Sequence, residues 1–284
     1  MEPKDSFVTV KPKSQLIKNH IAYYYFHKSE LIDFSNKFQY YPNYKNALTI
    51  YKHSNIKYQG NHSMSYPDKT TPFYMAYSGV QSQPRIAEIK APFNKIGIIF
   101  QPLGLHHFIK EDLKKIISQT EDKTFNYFGD PLTKSCKLIY ETNSIDEKVQ
   151  LLDAFFTTHY ANFNEERLKR AVQLLLEPEQ EYTVQGLAGT LQIHRKTLLR
   201  LFIKHLNCTV KDYIGIIQFR KALNQYQNAE NKPQFVELAY KSNYYDQSNF
   251  INHFKKITGF NPKRLFKGMD HIGNEDTFFT FLKN

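Results

Sequence analysis

The feature that most constrains this chain is a helical unit that occurs twice in its C-terminal third. The first copy reads Val184-Gln185-Gly186-Leu187-Ala188-Gly189-Thr190-Leu191-Gln192-Ile193 and continues through 194–205. The second reads Phe235-Val236-Glu237-Leu238-Ala239-Tyr240-Lys241-Ser242-Asn243-Tyr244-Tyr245 and continues through 246–257. Each pairs Leu-Ala on a short helix with a turn and a longer helix. The longer helices carry their spaced positions at i, i+4 and i+8: His194, Leu198 and Phe202, then Asp246, Phe250 and Phe254. The copies are offset by 51 residues before the turn and 52 after it, so the second turn is one residue longer. A small alanine lets two helices approach closely, and the apolar positions lock the longer helix onto the shorter one. Its opposite face is left free, which is what a helix lying in a DNA major groove requires. One such unit is no more than a helical hairpin. Two copies joined by a further apolar-faced helix (Tyr213, Ile214, Ile217, Ala222, Leu223) are much harder to obtain by chance.

Charge decides between a scaffold and a polyanion-binding module. The chain has 284 residues and a formal net charge of +11. Residues 183–268 hold 14 Lys and Arg against 4 Asp and Glu, a net of +10, so nearly all the excess lies in the repeated stretch. On the free face of the first long helix stand Arg195, Lys196, Leu199 and Arg200, with Lys204 extending that side. On the second stand Gln247, Ser248, Asn252 and Lys255. Arg and Lys suit guanine edges and phosphates, and Gln and Asn suit adenine edges. Thr183 and Asp246 are the expected helix N-caps.

The rest of the chain is of a different kind. Residues 1–140 read as short aromatic and β-branched runs between turn signals, with strands expected at 21–26, 47–51, 73–77 and 96–100. Helical periodicity is expected over 105–117, 146–160 and 164–176, with Asn162 and Asn164 as N-cap candidates and Pro178 stopping the last of these. The fold class is therefore α+β: a strand-rich N-terminal α/β domain over 1–160, an all-α domain of two helix-turn-helix units and a linker helix over 161–270, and a tail over 271–284. A 41% hydrophobic and 23% charged composition describes a globular chain, and no apolar run suits a membrane span or signal peptide, which predicts a cytoplasmic location. Cys136 and Cys208 lie far apart with no C-x-x-C pair, so passive thiols are expected.

The C-terminal arrangement resembles the DNA-binding domain of the AraC/XylS family of bacterial transcriptional regulators over about 165–268. The resemblance rests on Thr183-Val184-x-x-Leu187-Ala188, Thr197-Leu198-x-Arg200-x-Phe202, Leu238-Ala239, and Asp246-Gln247-Ser248-x-Phe250-x-x-x-Phe254-Lys255-Lys256-x-x-Gly259-x-x-Pro262. It implies that Lys196, Leu199 and Arg200, and then Gln247, Ser248 and Asn252, face bases in successive major grooves. Departures are His194 in place of a Ser cap, Asn243-Tyr244 in place of Gly-Phe, Asn207-Cys208-Thr209-Val210 in place of Gly-x-Ser-Pro, and Gln218 in place of Arg. Asn243 is expected to take the left-handed conformation that glycine would supply. The stretch 95–105 resembles, more weakly, sensor domains found ahead of such modules, many of them cupin-like. That likeness implies a small-molecule effector or protein partner, with RNA polymerase and a homodimer formed through 1–160 as further expected partners.

Other constellations count for less. His106-His107 with Glu111 and Asp112 lacks H-x-H or H-x-E-x-H spacing, so solvated or capping histidines are expected and no cofactor is. The runs Tyr23-Tyr24-Tyr25 and Tyr40-Tyr41 are expected to alternate between core and surface. The enzyme alternatives are a cupin-like metal enzyme and a DNA-alkylation repair protein carrying the same module. The second needs a four-cysteine zinc set that two cysteines cannot provide, and neither G-x-S-x-G, a P-loop nor H-E-x-x-H occurs.

Overall fold

The computed structural model describes residues 5–31, 35–118, 124–177, 180–271 and 278–282. Its N-terminal half is built on two sheets. The strands are β1 (Asp5–Val10), β2 (Ile21–Ser29), β3 (Ser35–Tyr40), β4 (Asn46–Lys52), β5 (Ser54–Gln59), β6 (His62–Pro67), β7 (Phe73–Ser78), β8 (Arg85–Lys90) and β9 (Phe93–Phe100). The first sheet runs β1-β2-β9-β4-β7 and is antiparallel throughout. Its three inner strands and the edge strand β7, its most apolar four, are the four expected from sequence, because both of its faces are covered. The second sheet runs β10-β11-β3-β8-β6-β5, with β10 (Asp270–His271) and β11 (Phe278–Phe281) supplied by the chain's end and β6 parallel to β8.

Four helices cover one face of the first sheet: α1 (Gln15–Lys18), α2 (Leu113–Ser118), α3 (Gly129–Glu141) and α4 (Ile145–Thr158). Ile96, Ile98 and Phe100 of β9 meet Cys136, Val149, Leu152 and Phe156 there in the largest apolar core. Asp153, buried on α4, is satisfied by the Lys13 and Ser14 amides at 2.7 Å and the Tyr24 hydroxyl at 2.8 Å, which pins α4 to the chain's start. The helix expected over 105–117 is instead a 3-10 turn (Gly104–Phe108), an extended Ile109, and α2. Leu105, Phe108, Leu113 and Ile116 still join one core, so the periodicity reported burial correctly but hid the break. The tyrosine run alternates between two buried faces, not core and surface: Tyr24 meets the helices and Tyr23 is buried on the opposite side.

The C-terminal half is helical: α5 (Glu166–Leu176), α6 (Val184–Thr190), α7 (Arg195–Leu206), α8 (Val210–Asn228), α9 (Phe235–Lys241), α10 (Gln247–Thr258) and α11 (Pro262–Gly268). The N-cap of α5 is Glu165 rather than Asn162 or Asn164; Asn162 is left-handed (φ 49°) and its Oδ1 accepts from the Tyr160 hydroxyl at 3.2 Å. Pro178 lies outside the described residues. The linker helix α8 gives Val210, Tyr213 and Ile216 to the core of the first unit and Phe219, Ala222 and Leu223 to that of the second. Ile214 and Ile217 are only half-buried. The N-terminal half plugs into both cores, with Val80 and Leu103 in the first and Tyr41 in the second. The stretch expected as a tail adds β11 to β3, pairing Phe279 with Tyr40 and Phe281 with Phe38. Among the described residues no helix is long and apolar enough to cross a membrane.

Candidate nucleic-acid interface

The two units close their turns in the same way. Ile193 donates its amide to the Ala188 carbonyl at 3.0 Å, and Tyr244 does the same to Ala239 at 2.9 Å. Each turn contains one left-handed residue, Gln192 (φ 53°) in the first and Asn243 (φ 65°) in the second. The longer second turn is therefore one residue inserted after the closing bond. That residue is Tyr245, 88% exposed, at the mouth of α10. Asn243 adopts the expected conformation and is tied to α8, where the Gln218 side-chain amide donates to its carbonyl and the Lys221 ammonium reaches its Oδ1 at 2.6 Å. Gln218 thus takes up a bracing contact between the linker and the second turn.

Caps fix the helix starts. Thr183 Oγ1 accepts from the Gly186 amide at 3.0 Å, and Asp246 Oδ1 accepts from Asn249 at 2.7 Å. His194 sits at the N-cap of α7 but makes no side-chain capping bond, which is what replacing a serine there removes. Leu198 and Phe202 on α7, and Phe250 and Phe254 on α10, are wholly buried against the alanine-bearing helices.

All nine residues expected on the free faces are exposed: Arg195, Lys196, Leu199, Arg200 and Lys204 on α7, and Gln247, Ser248, Asn252 and Lys255 on α10. They differ in what engages them. Lys204 reaches back to Asp112 Oδ1 at 3.2 Å, in the segment just before α2. Among the described residues no acidic side chain pairs with Arg195, Lys196 or Arg200, so their charge is offered outward. A groove of about 520 Å³ between the units is lined by Thr183, Lys211, Asn249, Asn252, His253 and Lys256 among others.

The C-terminal ends of the long helices are held by the other half of the chain, which nothing in the sequence pattern announces. An imidazole Nε2 of His106 lies 2.8 Å from the His205 carbonyl, and the Gln39 amide donates to the Thr258 carbonyl at 2.6 Å. Both satisfy terminal carbonyls that a helix cannot satisfy itself. His106 is therefore not a solvated histidine. It is buried, and burial pushes its pKa down to about 4. His107 stacks on His20 at 4.0 Å and is likewise lowered by burial to about 4. Cys136 and Cys208 are both buried, which pushes each thiol up to about 12. Among the described residues no three His, Cys, Asp or Glu side chains group as metal ligands would.

A family model described as a helix-turn-helix domain matches residues 187–268, from the Leu-Ala pair of the first unit through α11. Comparison with curated proteins gives no match. Among solved structures the chain is similar to an apo ToxT variant from Vibrio cholerae strain SCE256, at 11% identity over 94% of this chain and 98% of that one, with a TM-score of 0.42. It is also similar to unsaturated fatty acid bound wild-type ToxT from the same strain, at 14% identity over 85% and 97%, with a TM-score of 0.43. The two capped, turn-matched units and the family match agree: residues 187–268 form a helix-turn-helix domain.

Proposed function

We propose that this chain is a sequence-specific transcriptional regulator that sets α7 and α10 in two successive major grooves, ~34 Å apart on one face of the duplex. The observation that carries this is the pair of matching helices, each free along its N-terminal half, fixed to one linker helix in the stretch that holds the chain's excess charge. In this reading Lys196, Leu199 and Arg200 meet bases from α7, and Gln247, Ser248 and Asn252 meet bases from α10. Arg195, Lys204 and Lys255 flank them toward phosphates, Lys204 after release from Asp112. Residues 161–270 are the DNA-binding domain. Residues 1–160 are the sensing and self-association domain, through which a small molecule or protein partner controls contact with DNA and RNA polymerase, and β11 (Phe278–Phe281) joins its second sheet.

The test is salt-dependent retention on DNA. The full chain should show a steep log-log salt slope that a 1–160 fragment lacks, and a slope near zero would overturn the proposal. Arg200→Ala should cost about 1–3 kcal/mol on a specific site and relax preference at one base position. Equal weakening on every DNA sequence would assign Arg200 to a phosphate instead.

A further inference from the structure

The groove of about 520 Å³ between the two units has a cationic character that neither recognition helix accounts for. Its floor is the linker helix, where Lys211 and Gly215 lie one turn apart, and one wall is α10, which contributes Asn252, His253 and Lys256. Floor and wall are held at a fixed distance. A Cβ on Gly215 would come within 2.9 Å of His253 Nε2, and His253 Nδ1 is 2.8 Å from the Tyr244 hydroxyl. The imidazole is thus wedged between the linker helix and the second turn. Burial first, and then the neighbouring Lys256, lower its pKa to about 4, so it is a neutral spacer at pH 7.

No acidic side chain lines this groove. Lys211 and Lys256 are exposed, and among the described residues neither pairs with a carboxylate. Asp212, the only acidic residue on α8, is drawn into the cap of that helix, where its carboxylate accepts from the Thr209 hydroxyl at 2.6 Å. Toward its other end the groove opens into a larger cavity of about 730 Å³, and there Glu177 and Glu181 join the lining. A polyanion therefore suits the Lys211–Lys256 end alone.

The geometry of the duplex says what meets that end. Helices in successive major grooves on one face leave the minor groove facing the protein midway between them, half a turn from each. We infer that the Lys211–Lys256 end of the inter-unit groove seats this central minor groove, each lysine taking a phosphate from the strands that border it. Neither lysine reads a base. A narrow minor groove draws its two phosphate rows together and concentrates negative potential, and A·T-rich steps narrow it most. The protein thereby reads the width of a central segment that no recognition helix touches. This rests on the regulator proposed above, because only a duplex held by both units has such a segment.

The test uses the full chain and a duplex that it selects from a random-sequence library, remade with the base pairs midway between the half-sites as either A·T or G·C. Wild type should favour the A·T centre by about fivefold. Lys211→Ala and Lys256→Ala should each lower the log-log salt slope by about 1, and Lys211→Arg and Lys256→Arg should keep it. The double alanine variant should lose the central preference while keeping the wild-type Tm and the base preferences of both half-sites. An unchanged slope or a retained A·T preference in that variant overturns the seat and leaves the regulator standing. Loss of a half-site preference overturns it too, by placing the lysines in base recognition. A full chain that selects no duplex, or binds with a slope near zero, removes the regulator and the seat with it.

Discussion

Acidifying the protein from pH 7 to pH 5 should weaken it, and His106 should account for a defined part of the loss. Its Nε2 faces the His205 carbonyl, which can only accept, so that nitrogen carries the proton. The opposite nitrogen, Nδ1, is buried without a partner. Protonating it would place a charge on a buried nitrogen that makes no hydrogen bond, and burial is the main reason the folded value falls from 6.5 to about 4, with the His205 and Leu103 carbonyls opposing the fall. The folded value lies below the unfolded one, so the unfolded chain takes the proton first. Stability is therefore intact above about pH 6.5 and declines as pH falls toward about 4. Between those limits each pH unit costs about 1.4 kcal/mol, which gives about 2 kcal/mol at pH 5. Urea unfolding at both pH values should show wild type losing about 2 kcal/mol more than His106→Gln, whose side-chain amide can still donate to the same carbonyl. Parallel losses in the two proteins would refute the argument, whatever the other histidines contribute.

Four further variants test particular contacts. His194→Ser should stabilise α7 by about 1 kcal/mol in urea unfolding, because that N-cap has no side-chain bond, and Asp246→Ala should cost α10 about as much. Gly97→Ala should destabilise by about 1–3 kcal/mol in thermal unfolding, because the Tyr25 ring must tilt away and give up its 3.0 Å contact with Thr49 Oγ1. Tyr245→Ala should leave Tm unchanged, since the side chain packs on little, yet weaken DNA retention measurably; unchanged retention would remove Tyr245 from the interface.

The repeated units were legible because their signals are local. Leu-Ala pairs, i+4 spacings and caps each lie within a dozen residues, and the one-residue offset places an insertion in the second turn, although it does not say that the inserted residue is Tyr245. Strands β2, β4, β7 and β9 of the first sheet were legible because both faces of that sheet are covered, which leaves near-continuous apolar runs. The outer sheet was not. Segments such as Ser54–Gln59 and His62–Pro67 alternate polar with apolar residues and are rich in Ser, Asn and Gln, so they resemble turns as much as strands. The helix caps supplied by Gln39 and His106 were invisible for another reason. Each joins residues at least 99 apart in sequence, and no periodicity reports a contact made by a side chain whose partner is a backbone carbonyl.

Those two caps also show why the halves of the chain are mechanically coupled. The repeat offset of 52 sets Leu206 of α7 against Thr258 of α10, so His106 and Gln39 hold the two long helices at nearly equivalent carbonyls, one residue apart in the repeat. The N-terminal halves of both helices, where the free Arg, Lys, Gln and Ser side chains stand, are left unclamped. On β3, alternation sends Gln39 outward to α10 and Tyr40 the other way, toward the inter-sheet tyrosines that surround Lys95. The next residue, Tyr41, rests its ring against Phe219 of α8 at 6.2 Å and meets Thr280 of β11 at 2.6 Å. Three consecutive residues thus touch the inter-sheet space, a long helix and the linker helix. A ligand that shifted β3 by a fraction of an ångström would act first on α10, whose carbonyl and neighbouring core both depend on that strand. The first unit is held by a different device, His106 with the Asp112–Lys204 pair, and that device answers to pH and salt rather than to β3. The two units are therefore unequal in how they are restrained as well as in what they present to DNA.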